Sequence, residues 1–261
     1  LYIKGRAEQI KYDVSNYPKA VDYYKKALKY DPKYALAWAG LSEVHALWGY
    51  QIKYANGAWE PFLKLAVEEG VKAVEYGPTL YQTHRALSMA YLNSSDFDRA
   101  QKSIDEAYRL NNKDAETLQI KAQLKNYGYT EMAKAGTESN RYIKMALEIN
   151  PELIIAKWSL AHSYSTVGDK QRALQEYMEI LNINPMHAPS LHSIALIYYD
   201  LRDYQKSIDF AVRTVEADPK TAHHHYTLGL AYYQAKDWER SETALNEAVT
   251  LDPDYVNAII T

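Results

Sequence analysis

Residues 222–255 read AHHHYTLGLAYYQAKDWERSETALNEAVTLDPDY. Leu228, Ala231 and Tyr232 fall three and four residues apart, which sets them on one face of a helix. The polar turn Ala235-Lys236-Asp237 follows, and Trp238, Ser241, Leu245 and Ala248 then start a second stripe of the same kind. Asp252-Pro253 stops that second helix, because the proline ring removes a donor and disfavours a helical residue before it. The stretch is a helix–turn–helix, and neither helix can bury its apolar face without neighbours.

Those neighbours are written in the rest of the chain. Proline after Asp or Asn recurs at Pro151, Pro185, Pro219 and Pro253, each 34 residues beyond the last. Pro32 is an earlier member, Pro78 keeps the proline after Gly77, and Asn112 takes the slot 34 residues after Pro78. Cutting two residues past each gives units 1–34, 35–80, 81–114, 115–153, 154–187, 188–221 and 222–255, with a remnant 256–261. The whole chain is thereby assigned to one array. Small residues recur at position 8 (Ser42, Ser88, Ala122, Ala161, Ala195, Gly229) and at position 20 (Ala20, Ala66, Ala100, Ser139, Ala173, Ser207, Ser241). Large ones take position 7 (Leu41, Leu87, Leu160, Ile194, Leu228) and position 11 (Tyr91, Tyr164, Tyr198, Tyr232). Small against large at fixed phase lets one helix pair interdigitate with the next.

This pattern resembles the tetratricopeptide repeat, a 34-residue helix–turn–helix with small, large and proline positions at these slots. The resemblance implies an all-α fold, a right-handed α-solenoid of seven repeats and the start of an eighth. It is weakest in the first helix of unit 1, where Lys4 and Lys11 take apolar slots, and of unit 4, where Lys121 and Lys125 do. Units 2 and 4 run to 46 and 39 residues. Their extra residues, around Trp48–Pro61 and Lys125–Gly136, are expected as loops between helices. A narrower likeness, in Leu1–Arg6 and Asp31–Leu41, is to repeat arrays attached to bacterial nucleotide cyclases, receptor-like kinases and winged-helix regulators.

Composition narrows the function. The 261 residues carry 30 basic and 33 acidic side chains, so the balance offers no electrostatic footprint for nucleic acid. No run of about 18 apolar residues exists to span a membrane. Zero cysteines exclude thiolate metal sites, disulfides and cysteine catalysis. The chain starts at Leu1 without a leader, which reads as a piece of a longer, cytoplasmic protein. The 25 tyrosines read as packing residues between helices, flat rings with a hydroxyl that reaches the edge.

Catalytic signatures are missing: no GxxxxGK[ST] or GxGxxG loop, no HExxH helix and no GxSxG elbow occurs. Three consecutive helical residues point about 100° apart, so His223, His224 and His225 cannot converge on one ion. His225 falls at position 4, a packing slot. No cofactor and no metal is expected, and the chain reads as a non-enzyme.

A stack of helix pairs leaves a concave inner wall. The resemblance places positions 2, 5, 9, 12 and 13 of each first helix on it. Carried over, this gives a peptide-binding groove of Arg85, Met89, Trp158, His162, His192, Leu196, Tyr199, Tyr226, Leu230 and Tyr233. Its C-terminal half is aromatic, aliphatic and histidine-bearing, the makings of peptide or helix capture. No unit pairs Lys at 5 with Asn at 9, so a clamp for a C-terminal carboxylate is disfavoured. The expected partner is a protein or peptide segment. Alternatives are a sensory or regulatory module of a larger signalling enzyme, and a homo-oligomer assembled through terminal repeats.

Overall fold

The computed structural model describes residues 1–12, 14–54, 58–127 and 132–253. The expected eighth-repeat remnant, 256–261, lies outside them. Every regular element among the described residues is helical. Helix α1 is Tyr2–Gln9, and a 3₁₀ turn at Val14–Asn16 leads to α2, Tyr17–Tyr30. Then come α3 (Ala35–Tyr54), α4 (Glu60–Tyr76), α5 (Tyr81–Asn93), α6 (Phe97–Leu110), α7 (Ala115–Tyr127) and α8 (Met132–Ile149). The chain continues with α9 (Ile154–Thr166), α10 (Lys170–Ile183), α11 (Ala188–Asp200), α12 (Tyr204–Ala217), α13 (Ala222–Gln234) and α14 (Trp238–Leu251). The first helices of units 3 to 7 all start at position 1 and run 13 residues.

Two compact bodies result, Leu1–Leu153 with α1–α8 and Ile154–Thr261 with α9–α14. Within each, the two helices of a unit pack together and the second helix packs on the next unit's first, as α2 does on α3 and α12 on α13. This is the stacking of an α-solenoid. The small positions do what their size predicts. Ser88 Oγ donates to the Ala100 carbonyl at 2.8 Å, Ser207 to Ala195 at 3.0 Å and Ser241 to Gly229 at 3.0 Å, each joining positions 8 and 20 of one unit. At Gly229 a Cβ would fall 2.7 Å from the Leu245 side chain, so no larger residue fits.

Four of the turns between paired helices share one construction. Ser95, Gly168, Arg202 and Lys236, all at position 15, have left-handed φ of 63, 84, 62 and 63°. The amide of the next residue bonds back to a tyrosine carbonyl, as Asp237 does to Tyr232 at 3.0 Å, while Lys236 bonds to Tyr233. That is a Schellman C-cap. The following Asp96, Asp169, Asp203 and Asp237 then cap the second helix, accepting from the amides of Arg99, Arg172, Lys206 and Arg240. Each capping carboxylate also pairs with that same cation. The cations in turn lie 4.6 to 5.0 Å from the ring centroids of Tyr91, Tyr164, Tyr198 and Tyr232 at position 11. One cause of the tyrosine abundance is therefore visible: the ring packs between helices and seats the cation of its own turn.

Two expectations are corrected and a third is kept. The register of α1 is displaced by three residues. A Cβ on Gly5 would fall 2.7 Å from the ring of Tyr24, as one on Gly229 would from Leu245, and both partners hold position 24. Gly5 thus fills the small slot, Lys4 and Lys11 are exposed, and a longer connection through Tyr12 (φ 52°) makes up the difference. Second, much of the extra length in unit 2 is helix rather than loop: α3 has 20 residues and α4 has 17. No proline lies between Trp48 and Asn56-Gly57, Gly49 sits where a Cβ would meet Leu63, and Trp48 packs on Phe62 at 4.9 Å, so the two helices extend together. In unit 4 likewise, α8 reaches 18 residues. Third, Lys121 does occupy its apolar slot. It is buried, pairs with Asp105, and lies 5.0 and 5.7 Å from the ring centroids of Tyr108 and Tyr142.

Candidate functional site

The inner-wall positions behave oppositely in the two bodies. In the first, they carry charge that is consumed internally. The displaced register puts Tyr2 and Arg6 at positions 5 and 9 of α1, facing Glu43 of α3, Arg85 of α5 and Glu116 of α7. Arg85 is only 5% exposed. Its guanidinium lies 2.8 Å from Glu43, 2.9 Å from Asp114 and 2.7 Å from Glu116. Arg6 bridges Glu43 at 3.1 Å and also reaches Glu116. Gln9 donates to Glu43 at 2.7 Å and accepts from the Tyr24 hydroxyl at 2.6 Å. Burial works against the charge on Arg85, but Glu116, Glu43 and Asp114 outweigh it and hold the guanidinium protonated. Burial likewise pushes Asp114 up, and Arg85 together with the hydrogen bonds from Thr117 more than reverses that. Arg85 was expected as a groove contact; it is instead the centre of a buried ion-pair network. Met89 is half-buried and packs on the core around Leu87 and Ile104.

In the second body, charge is scarce on the corresponding wall. Trp158 stacks on the exposed His162 with centroids 5.2 Å apart and planes within 6°. Leu196 and Tyr233 are each 39% exposed. Tyr199, Tyr226 and Leu230 are half-buried beside them in sequence register. Tyr233 meets Trp238 edge-on at 5.1 Å, and Trp238 is 57% exposed, although the sequence places it at a packing position. The one charged side chain at these inner positions in α9, α11 and α13, Asp200, is paired with Lys170 at 3.1 Å.

His192 departs from its expected role. It is 7% exposed, and its ring meets His223 at 4.8 Å and His224 at 5.3 Å. Burial, then the fields of His224 and His223, hold it down to about 3. His225 is a latch on the turn, donating from Nε2 to the Pro219 carbonyl at 2.9 Å. Trp38 and His84, at the same position 4, do likewise to Pro32 and Pro78. Among the described residues no cluster of His, Cys, Asp or Glu is arranged to hold a metal.

With repeat length, turn and wall in view, comparison with known families is decisive. The sequence pattern described as Tetratricopeptide repeat matches residues 9–47 and 192–256, and a second of the same description matches 156–187. The chain belongs to the tetratricopeptide repeat family. No curated protein sequence matches it. Solved structures share the tetratricopeptide fold at low identity. The APC/C heterotetramer Cut9–Hcn1 superposes with a TM-score of 0.70 at 15% identity, over 98% of this chain and 54% of that one. Human IFIT1, solved as a dimer with m7Gppp-AAAA, gives 0.74 at 14% identity, over 91% and 55%. PilF of Pseudomonas aeruginosa gives 0.62 at 14% identity, over 84% and 96%. The chain therefore spans about half the length of the first two. No helix among the described residues of this tetratricopeptide protein is long and apolar enough to cross a membrane.

Proposed function

We propose that the chain is a non-catalytic scaffold that holds a peptide or protein segment on the wall formed by α9, α11 and α13. The observation that carries this is the uncharged set of exposed Leu196 and Tyr233 with half-buried Tyr199 and Leu230, at positions 9 and 12 of two adjacent repeats. Large apolar groups with no ion pair to satisfy gain most by excluding water against a partner. The wall of the first body has spent its polar groups on one another, so it supports no comparable role. A peptide fits better than a nucleic acid, since phosphate needs cations and positions 2, 5, 9, 12 and 13 of α9, α11 and α13 hold no Lys or Arg. Selection of a displayed peptide library on the intact chain tests this. Recovered peptides should lose more than about 2 kcal/mol of affinity, roughly 30-fold, with Leu196→Asp or Tyr226→Ala. Undiminished binding to both folded variants would move the site elsewhere.

A further inference from the structure

We propose that the contact between α11 and α13 is an acid-operated latch, in which three histidines join the two helices while neutral and force them apart once protonated. This goes beyond the scaffold reading and stands whether or not a peptide binds. Repeat packing brings His192 of α11 against both His223 and His224 of α13, with centroids 4.8 and 5.3 Å away. Burial keeps His192 neutral, and the hydrogen bonds fix which ring nitrogens of His192 and His224 donate. Thr227 Oγ1 donates to the His223 carbonyl at 3.0 Å, so its contact with His192 Nε2 at 3.1 Å must be accepted from the ring. His192 is then the Nε2–H tautomer, with its lone pair on Nδ1. His224 donates from Nδ1 to the Asp218 carbonyl at 3.2 Å.

Among the described residues, no acidic group supplies counter-charge for a second proton on His192. From α13 it is faced by His223 and His224, both prospective cations. His225 acts on His224 in the same repulsive sense. At the C-cap of α12, the Asp218 carboxylate lies 3.7 Å from His224 and registers there, but not at His192 or His223. Arg213 of α12 is turned to the Pro185 carbonyl at 3.3 Å, and Lys170 of α10 is paired with Asp200 at the far end of α11. His187, just before α11, is held on Ser190 at 2.8 Å. Burial holds all three clustered rings below the usual histidine range. Released, each ring titrates near its ordinary value of about 6.5. The closed wall is thus favoured above that pH and loses ground as pH falls, up to tenfold in population per pH unit for each proton taken up.

Hydrogen exchange on the full chain between pH 7.5 and 5, corrected for intrinsic rates, reads the latch directly. Amides of residues 193–197 and 226–231 should lose protection at least tenfold per pH unit below pH 6.5, while those of residues 103–107 in the first body hold theirs. His192→Phe, which keeps a ring but no proton site, should shed about one tenfold step per pH unit of that slope. His223→Gln should shed part of it and decides the matter if the first variant does not fold. A wild-type wall whose protection is flat across this range, or a slope unchanged in the folded variants, overturns the proposal.

Discussion

Replacing Arg85 with Leu should destabilise the first body by about 3–5 kcal/mol at pH 7, the range for removing one partner of a buried ion pair. The magnitude follows from what remains. Glu43, Asp114 and Glu116 would keep only Arg6 as counter-ion, and Glu43 is 3% exposed. The defect should also depend on pH, with a sign that can be worked out. In the native protein Arg85, with the hydrogen bonds from Thr117, holds Asp114 below its ordinary value against burial. That contribution is present above about pH 4 and is lost as pH falls. Without Arg85 the hold on Asp114 is weakened and its carboxyl moves up, so the variant loses at neutral pH a stabilisation that acid removes from the native protein as well. The difference between the two proteins must therefore shrink from pH 7 toward pH 4. Urea unfolding followed by circular dichroism gives the overall loss. Repeat arrays need not unfold as one unit, so hydrogen exchange in α5 and α7 should assign it. A loss under about 1 kcal/mol at pH 7, or one that stays constant down to pH 4, would refute the idea that the network is held by Arg85.

Gly229→Leu should cost roughly 1–3 kcal/mol, because the added side chain meets Leu245 where even a Cβ comes within 2.7 Å; thermal unfolding of the variant checks it, and a neutral result would contradict the helix spacing. Lys236→Gly should stabilise by about 0.5 kcal/mol, since a left-handed L-residue costs about 1–2 kcal/mol and glycine returns part of that as unfolded-state entropy. A drop in the denaturation midpoint would show that the lysine side chain matters more than its backbone. Lys121→Leu should be neutral or stabilising by about 1 kcal/mol: the slot is apolar in neighbouring units, and the abandoned Asp105 side chain is 54% exposed, free to stay in water. A loss beyond about 2 kcal/mol would mean that the cation between Tyr108 and Tyr142 is essential there.

What could be read from the sequence follows a physical division. Helix boundaries in units 3, 5, 6 and 7 were legible because they are set locally, by Asp at position 16, proline at position 32 or its Asn112 substitute, and the small pairs at 8 and 20. The displacement of α1 was not, because Gly5 is chosen by Tyr24, a ring in another helix, and Gly40 on α3 closes that ring from its other side. Loops expected from unit length became helix since no proline in the first part of that stretch breaks one. Leu196 and Tyr233 are exposed at positions that the family resemblance assigns to the wall. The burial of Arg85 was hidden because its partners lie on two other segments, and the nearest of them is Asp114, 29 residues on. His192 was likewise read as a contact although its neighbours, one repeat later, close over it.

The turn shared by four hairpins has a consequence for how such a protein can change. Its left-handed hinge, capping aspartate, cation and tyrosine all come from one stretch between positions 11 and 19, so each hairpin carries its own fastener. A duplicated or transplanted copy would arrive with that fastener intact and need only match the surfaces on either side. Lengthening the chain by whole repeats, or shuffling them, should therefore be far better tolerated than altering a single residue inside the fastener.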